Sequence, residues 1–575
     1  MILPARRRLW HGLLLVASLA APASAAVRLE ISGAPEALRD NIRAHVGELP
    51  AAADEAGRRL QRRVREAAAQ AAEALGYYNS RFELDVERRG DDAVLRLAVE
   101  PGERVRLSAV DVRVTGDAGD DPAFVQALSQ LPVVPGAPLD HGEYEAAKQT
   151  LQNLALRRGY FDARFVRQRV EVDTAANTAR VELLFDSGQR YRIGTVSFSE
   201  TPFRQSLLET MIPFREGDPY DSTEIVDFNR ALLESQYFET VRVRPFPDRA
   251  VGRQVPIEVD LEAAEPNRLG LGLGYSTDVG PRTQINWRRR WLNSRGHSAG
   301  AQLELSELRQ TIQSQYRIPL SSPVDDVLEF QLGLQDEEFQ DTDSRRFTLA
   351  AQRQTRLDSG WRWVLSLRWE YSDFRVGDDE EITKLLLPGL SFTRSRSNGG
   401  VDPTRGDRLL FSTEATHPVL GSDIELQHVR VGGRWLRSLS RVHRFTLRVD
   451  AGALATSDFD EVPPSLRFFA GGDQSVRGYA YNSLGPRNAE GDIIGGRYLL
   501  TGSVEYGWHF RDSWRLALFV DAGNALDSFA DDYKVGAGFG IHWISPVGPV
   551  RFDFAWGVSE DDLPFRLHVS LGPQL

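Results

Sequence analysis

Trp361-Arg362-Trp363-Val364-Leu365-Ser366-Leu367-Arg368-Trp369-Glu370-Tyr371 decides how this chain is read. The odd positions carry Trp361, Trp363, Leu365, Leu367, Trp369 and Tyr371; the even ones carry Arg362, Val364, Ser366, Arg368 and Glu370. A period of two is that of an extended strand whose two faces meet different surroundings. The same alternation runs through Arg444–Ala451, where Phe445, Leu447, Val449 and Ala451 share one face and Arg444, Thr446, Arg448 and Asp450 the other. It returns in Val550–Trp556, with Val550, Phe552, Phe554 and Trp556 opposite Arg551, Asp553 and Ala555. From Leu269 onward, segments of about ten residues repeat this pattern between clusters of Gly, Asp, Asn, Ser and Pro.

Sixteen strands are predicted, near 269–276, 281–291, 297–305, 308–317, 326–336, 344–355, 360–372, 382–394, 405–414, 424–436, 440–453, 497–508, 513–522, 532–544, 548–557 and 564–571. Alternation alone fits either a soluble β-sandwich or a membrane barrel with apolar residues outward and charge inward around a wet lumen. Three features favour the barrel. Aromatics crowd the strand ends at Trp361, Trp369, Trp508, Trp543 and Trp556, as interface girdles do. The strands follow one another in hairpin order, and only a closed sheet crosses lipid without unsatisfied edges. The N-terminus reads as an export signal: Arg6, Arg7 and Arg8, an apolar core over Leu13–Ala21, and a small-x-small site at Ala23-Ser24-Ala25. That core is too short for a membrane anchor.

The rest of the composition narrows the function. No apolar run of about 18 residues follows the N-terminus, so helical spans are not expected. The net charge of −12 argues against a nucleic-acid partner. With no cysteine, disulfides and thiolate sites are excluded. There is no His-Glu-x-x-His, nucleophile elbow or Walker loop, so no catalytic residue, metal site or cofactor is expected.

Between Val27 and about Glu265 a strand–helix–helix–strand–strand pattern occurs three times. The second helix of each unit stops before an aromatic pair: Gly76-Tyr77-Tyr78, Gly159-Tyr160-Phe161, and Gln236-Tyr237-Phe238. Glycine at the first two stops suits a helix C-cap. Pro101-Gly102-Glu103-Arg104-Val105-Arg106-Leu107 and Ser187-Gly188-Gln189-Arg190-Tyr191-Arg192-Ile193 open the second and third units. Such repeats mean stacked modules. In the first, Val64, Ala67, Ala68, Ala71, Ala72 and Leu75 form the apolar stripe of an amphipathic helix lying on a small sheet.

Two places draw attention as sites. The first is the Gly-rich segment Phe468–Tyr479, ending in Val476-Arg477-Gly478-Tyr479. On a nearby strand Leu516, Leu518 and Val520 face out, so Asp521 faces in; Glu505 faces in by the same parity. A loop folded into the lumen would let Arg477 pair in bidentate fashion with Asp521. The second is the closure of the cylinder. Gly270-Leu271-Gly272-Leu273-Gly274 mimics a dinucleotide fingerprint, but no helix follows it; it reads as a first strand weakened by glycine and open to close backbone approach. The last strand sets Phe565, Leu567, Val569 and Leu571 outward and stops at Gly572-Pro573. A seam between two such strands is expected to be weak, and an opened edge templates another strand.

These residues resemble the TamA branch of the BamA-like outer-membrane assembly factors over the whole mature chain. The resemblance rests on Val476-Arg477-Gly478-Tyr479, on Phe519-x-Asp521-x-Gly523, on the run Ser545–Asp553, and on the Gly572-Pro573-Gln574-Leu575 end. It implies three α+β POTRA modules followed by a sixteen-stranded antiparallel transmembrane β-barrel: signal peptide 1–25, POTRA modules 26–101, 102–187 and 188–265, barrel 266–575. Three modules separate the chain from BamA itself. Leu575 replaces the terminal aromatic common in outer-membrane strands, an ending TamA-like chains share. The resemblance assigns Val476, Arg477, Gly478 and Tyr479 to a lumen latch, with Phe519, Asp521, Gly523 and Glu505 on the barrel wall. Gly270, Leu271, Gly272, Leu273 and Gly274, with Phe565, Leu567, Val569, Leu571 and Gly572, form a lateral gate. The expected setting is the bacterial outer membrane with the modules in the periplasm. The expected partners are a TamB-like protein anchored in the inner membrane, autotransporter or other β-barrel substrates, and the lipid bilayer. The implied role is insertion or secretion of autotransporter-type proteins; the alternatives are one end of a phospholipid conduit or a two-partner-secretion channel.

Overall fold

The structure is a computed structural model describing residues 27–50, 57–89, 92–400, 402–546 and 548–571. The export signal and Gly572–Leu575 lie outside the described residues. The first module comprises β1 (Val27–Ser32), α1 (Glu36–Val46), α2 (Arg58–Ala74), β2 (Arg81–Arg89) and β3 (Asp92–Glu100). The second comprises β4 (Arg106–Thr115), α3 (Pro122–Ser129), α4 (His141–Arg157), β5 (Arg164–Asp173) and β6 (Thr178–Asp186). The third comprises β7 (Arg192–Phe198), α5 (Gln205–Glu209), α6 (Ser222–Glu234), β8 (Phe238–Pro245) and β9 (Gln254–Ala263). Each sheet places its last strand in the middle, in the orders β1-β3-β2, β4-β6-β5 and β7-β9-β8. The chain divides into two compact units. One holds the residues up to Thr195 with Glu216–Thr223 and Pro247–Val255; the other takes Val196–Arg215, Glu224–Phe246 and everything from Pro256.

In the first unit the alanine stripe of α2 is explained by packing. Leu60, Val64, Ala67, Ala68, Ala71 and Ala72 are buried with Leu38, Ile42, Leu95 and Leu97 in one core. Small side chains let the helix lie close to the sheet. The helix stops behave as their residues require. Gly76 and Gly159 take φ of +83° and +80°, the left-handed region open to glycine. An added Cβ at Gly76 would lie 2.4 Å from Leu139 O. At the third stop, in the second unit, Gln236 holds φ +61° without that freedom. The repeated junction has a function of its own. Arg104 donates to Leu75 O and Leu139 O, and Arg190 donates to Arg158 O and Tyr220 O. Each arginine caps the carbonyl left open at a helix end and ties it to the following module.

In the second unit sixteen strands close one antiparallel barrel. They are β10 (Asn267–Ser276), β11 (Gly280–Arg289), β12 (Ser298–Ser306), β13 (Arg309–Ser322), β14 (Asp326–Phe339), β15 (Thr342–Arg356), β16 (Trp361–Val376) and β17 (Asp379–Ser397). The other half is β18 (Arg405–Thr416), β19 (Leu426–Ser438), β20 (His443–Thr456), β21 (Tyr498–Arg511), β22 (Trp514–Leu526), β23 (Lys534–Ser545), β24 (Gly548–Gly557) and β25 (Phe565–Leu571). The parity follows the sequence pattern: Leu365 and Leu367 are exposed on the outer face of β16, while Glu370 and Ser372 are buried. Closing the cylinder pairs every inner strand on both sides, which is what lipid demands.

Two expectations change. The strands from β13 to β23 outrun ten residues, up to the 19 of β17. The interior is also not polar and wet throughout. Leu385, Leu387, Leu426, Leu454 and Leu499 point inward from the wall and pack on Phe459, Val462, Leu466, Phe468, Val476 and Leu484 of the segment between β20 and β21. This segment, Ser457–Arg497, fills one end of the barrel with an apolar core. The long strands carry the wall up to meet it.

Candidate functional site: the lumen loop and the seam

Three local devices bend the loop between β20 and β21. Gly471 and Gly472 take φ of +100° and +99°. Backbone bridges join Phe468 to Gly496 and Ala470 to Leu484. Arg467 donates to the carbonyls of Val462, Asp460 and Ile494, stapling the loop to itself. The result presents Val476-Arg477-Gly478-Tyr479 to the wall.

Arg477 is 4% exposed and Asp521 is fully buried. Nε and Nη2 of Arg477 donate to the two Asp521 carboxylate oxygens at 2.7 and 2.9 Å, and the Arg477 backbone N–H adds a third bond at 3.0 Å. Nη1 reaches Glu505 at 2.9 Å and Asp553 at 3.2 Å, and Nη2 also reaches Ser503 Oγ at 3.3 Å. The guanidinium lies 3.4 Å from the ring centroid of Phe519. Burial opposes the charge on Arg477, but Asp521, Glu505 and Asp553 outweigh it and hold the group further into its protonated range. A planar fork shared by three carboxylates and an aromatic face is a geometry lysine cannot reproduce.

The other predicted latch residues fall as follows. Val476 is buried in the loop core, and Tyr479 directs its hydroxyl to Val535 O at 3.4 Å. Gly478 holds φ +98°, where a Cβ would lie 2.7 Å from Trp556 C. Gly523 makes no contact with Arg477 among the described residues; its Cβ would lie 2.2 Å from Leu500 O, so the position serves close strand approach. Sequence reasoning missed Asp553, Ser503, His542, Gly536 and His568. His542 Nε2 lies 2.8 Å from Asp553 Oδ1, and Gly478 N–H donates to His568 Nε2 at 3.1 Å. A Cβ at Gly536 would lie 1.8 Å from Arg477 O, so the wall makes room for the loop there. The inward parity of Asp553 was the available signal, since it shares a face with Arg551 and Ala555.

At the seam, β24 and β25 pair from Val550↔Leu571 to Trp556↔Phe565, whereas β10 and β25 share, among the described residues, the single bridge Ser276↔Ser570. Thr277 N–H donates to Val569 O and Val569 N–H to Thr277 Oγ1, both at 3.2 Å. Leu271 and Leu273, like Phe565, Leu567 and Leu571, are exposed on the outer face. Gly270, Gly272 and Gly274 point the other way, and the close backbone approach expected there is not found. Among the described residues an added Cβ would meet nothing nearer than 3.6 Å. Space is therefore not what these positions require of glycine. The register sets Val569 beside Thr277. Gly572 lies outside the described residues.

The family model described as Omp85 superfamily domain matches residues 292–574. That described as POTRA domain TamA domain 1 matches 28–101, and the POTRA model described as surface antigen variable number repeat matches 111–188 and 191–263. The outer membrane protein assembly factor BamA of Nitratidesulfovibrio vulgaris is 26% identical over 381 residues, covering 62% of this chain and 47% of its own. BamA of Neisseria meningitidis serogroup B is 21% identical over 573 residues, covering 86% and 70%. The chain thus spans about half the length of the first relative and more of the second. The crystal structure of BamA from Haemophilus ducreyi lacking POTRA domains 1–3 superposes with a TM-score of 0.67 at 17% identity, covering 82% of this chain and all of that one.

Proposed function

Since the chain belongs to the Omp85 superfamily, with POTRA modules ahead of a sixteen-stranded barrel of the bacterial outer membrane, we propose that it is an assembly factor that inserts other β-barrel proteins through its own seam. The observation that carries this reading is the junction of β10 and β25, which among the described residues share one ladder bridge, Ser276↔Ser570, beside strand pairs that zip along their length. An edge held over a few positions, 276–278 against 570–568 among the described residues, opens at lower cost than one paired along its length. Its free N–H and C=O groups then pair with an incoming strand, which gains the hydrogen bonds that lipid cannot supply. The Arg477 cluster anchors the loop to β21, β22 and β24, so the wall beside the seam stays ordered while the seam parts. The modules offer small three-stranded sheets for docking. The match of 28–101 to a TamA first domain supports a place in that branch, with a TamB-like protein as partner and autotransporter-type chains as substrates.

The test uses the register. Ser276→Cys with Ser570→Cys places two thiols at directly opposed positions, 4.5–5.5 Å between Cα atoms in antiparallel pairs, within reach of a disulfide. Oxidation is expected to stop assembly of an autotransporter substrate, and reduction to restore it. Undiminished assembly by the fully oxidised barrel would reject the lateral route.

A further inference from the structure

We infer that the lumen loop is a splint across the seam, held on one side by Asp278 and on the other by His568, so that opening the seam and releasing the loop are one event. This rests on the seam reading above and adds the element that governs it. Asp278 follows β10 in the turn to β11; His568 lies on β25. Their side chains are the next step along the seam after Ser276↔Ser570 and the Thr277–Val569 bonds, with His568 Nδ1 3.4 Å from Asp278 Oδ1. Each also holds one amide of the loop. Asp473 N–H donates to Asp278 Oδ2 at 2.6 Å, and Gly478 N–H donates to His568 Nε2 at 3.1 Å. The six loop residues Asp473–Gly478 therefore reach from one side of the seam to the other.

The chemistry of the ring makes the arrangement specific. Because Nε2 accepts from Gly478, the neutral imidazole carries its proton on Nδ1, the nitrogen that faces Asp278. That tautomer accepts from the loop through Nε2 and turns its N–H side toward the Asp278 carboxylate, 3.4 Å away. Both side chains are buried, at 3% and 7% exposure, so parting them strands polar groups that the loop amides cannot replace. Gly472 guards the fit: at φ +99°, its Cβ would lie 2.5 Å from Asp278 Oδ2. The Arg477 partners sit on β21, β22 and β24, on the β25 side of the seam. The Asp473–Asp278 bond carries the loop to the β10 side.

The coupling is reciprocal: a locked seam must hold the loop more firmly. The chain has no cysteine of its own, so the Ser276→Cys/Ser570→Cys pair is the only thiol pair present. In lipid nanodiscs without substrate, hydrogen exchange of the Gly471–Tyr479 segment is compared between oxidised and reduced protein. Oxidation is expected to slow exchange at Gly478 by roughly 5-fold or more, the lower end of ordinary coupling. His568→Ala is expected to abolish that difference, and His568→Gln, which keeps an acceptor, to restore part of it. If His568→Ala fails to insert, Asp278→Asn is read the same way. Equal exchange in oxidised and reduced protein, or a difference that survives both substitutions, overturns the inference. Substrate takes no part in this measurement, so its failure leaves the insertion assay of the locked barrel to decide the broader reading.

Discussion

Replacing Arg477 by alanine removes one cation from among three buried carboxylates, Asp521, Glu505 and Asp553. Removing one partner of a buried, hydrogen-bonded pair costs about 3–5 kcal/mol, because the remaining charge is left unpaired. Here the site has an escape that caps the cost. The loop can lift, and water can reach the carboxylates while the barrel wall stays closed. The penalty therefore appears in the docking equilibrium of Ser457–Arg497, not in the barrel. At about 1.4 kcal/mol per decade, 3–5 kcal/mol raises the undocked population by roughly 10² to 4 × 10³-fold. Hydrogen exchange resolved by segment reads this directly: amides of Gly471–Leu484 are expected to speed up by that factor, while β14–β16 are unchanged. Arg477→Lys is expected to fall between, since an ammonium keeps the charge but loses the fork on Asp521 and the stacking on Phe519. Asp521→Asn should loosen the loop less than Arg477→Ala, since Glu505 and Asp553 continue to hold the guanidinium. Wild-type exchange throughout the loop in Arg477→Ala would refute the argument that this cluster docks it.

Three further outcomes follow from named residues. Leu365→Arg, on the exposed outer face of β16, is expected to destabilise the barrel in vesicles by about 2–4 kcal/mol if it lies near the bilayer midplane, read by denaturant unfolding; an unchanged midpoint would mean that this face does not meet hydrocarbon. Gly272→Ala meets only ordinary contacts and should stiffen the first strand by about 0.5–1 kcal/mol, slowing substrate assembly without loss of folded barrel; faster assembly would contradict a role for flexibility at that edge. In the second module, burial raises the Asp121 carboxyl, but the Ala123 N–H, Arg158 and Tyr160 outweigh it and hold the group below its usual range. Its stabilising effect is fully present above the unfolded carboxylate value of about 3.9 and is lost as pH falls through the lower folded value. Acid unfolding of the first unit should thus be less steep in Asp121→Asn, followed by circular dichroism of the full chain.

Much of this was written in local pattern. The period of two in Trp361–Tyr371 is a statement about two environments, and it carried through to strand count, face and order. Asp521 and Glu505 were found inward because parity propagates along a strand from its apolar neighbours. The same logic could not see Leu385 or Leu426 as inward residues, since an apolar side chain facing a packed loop looks like one facing lipid. It missed His568 and Asp553 as partners of the loop for a different reason. Their roles depend on where β24 and β25 sit relative to a segment some 75 to 90 residues earlier, and that distance has no local signature. The glycines of β10 show the opposite error. Their spacing suggested steric need, and the geometry around them has none.

By itself the order of residues determined the repeated modules, the alternating strands, the helix stops at Gly76 and Gly159 and the cation that seeks a carboxylate, because each depends on neighbours within a few positions. Only the tertiary structure decided which carboxylates share Arg477, how few of the described residues join β10 to β25, and that one imidazole touches both the loop and the seam. Those are outcomes of closing a cylinder, where strands from the two ends of a 300-residue stretch meet. Register and shear, set by the whole sheet, choose which side chains come face to face.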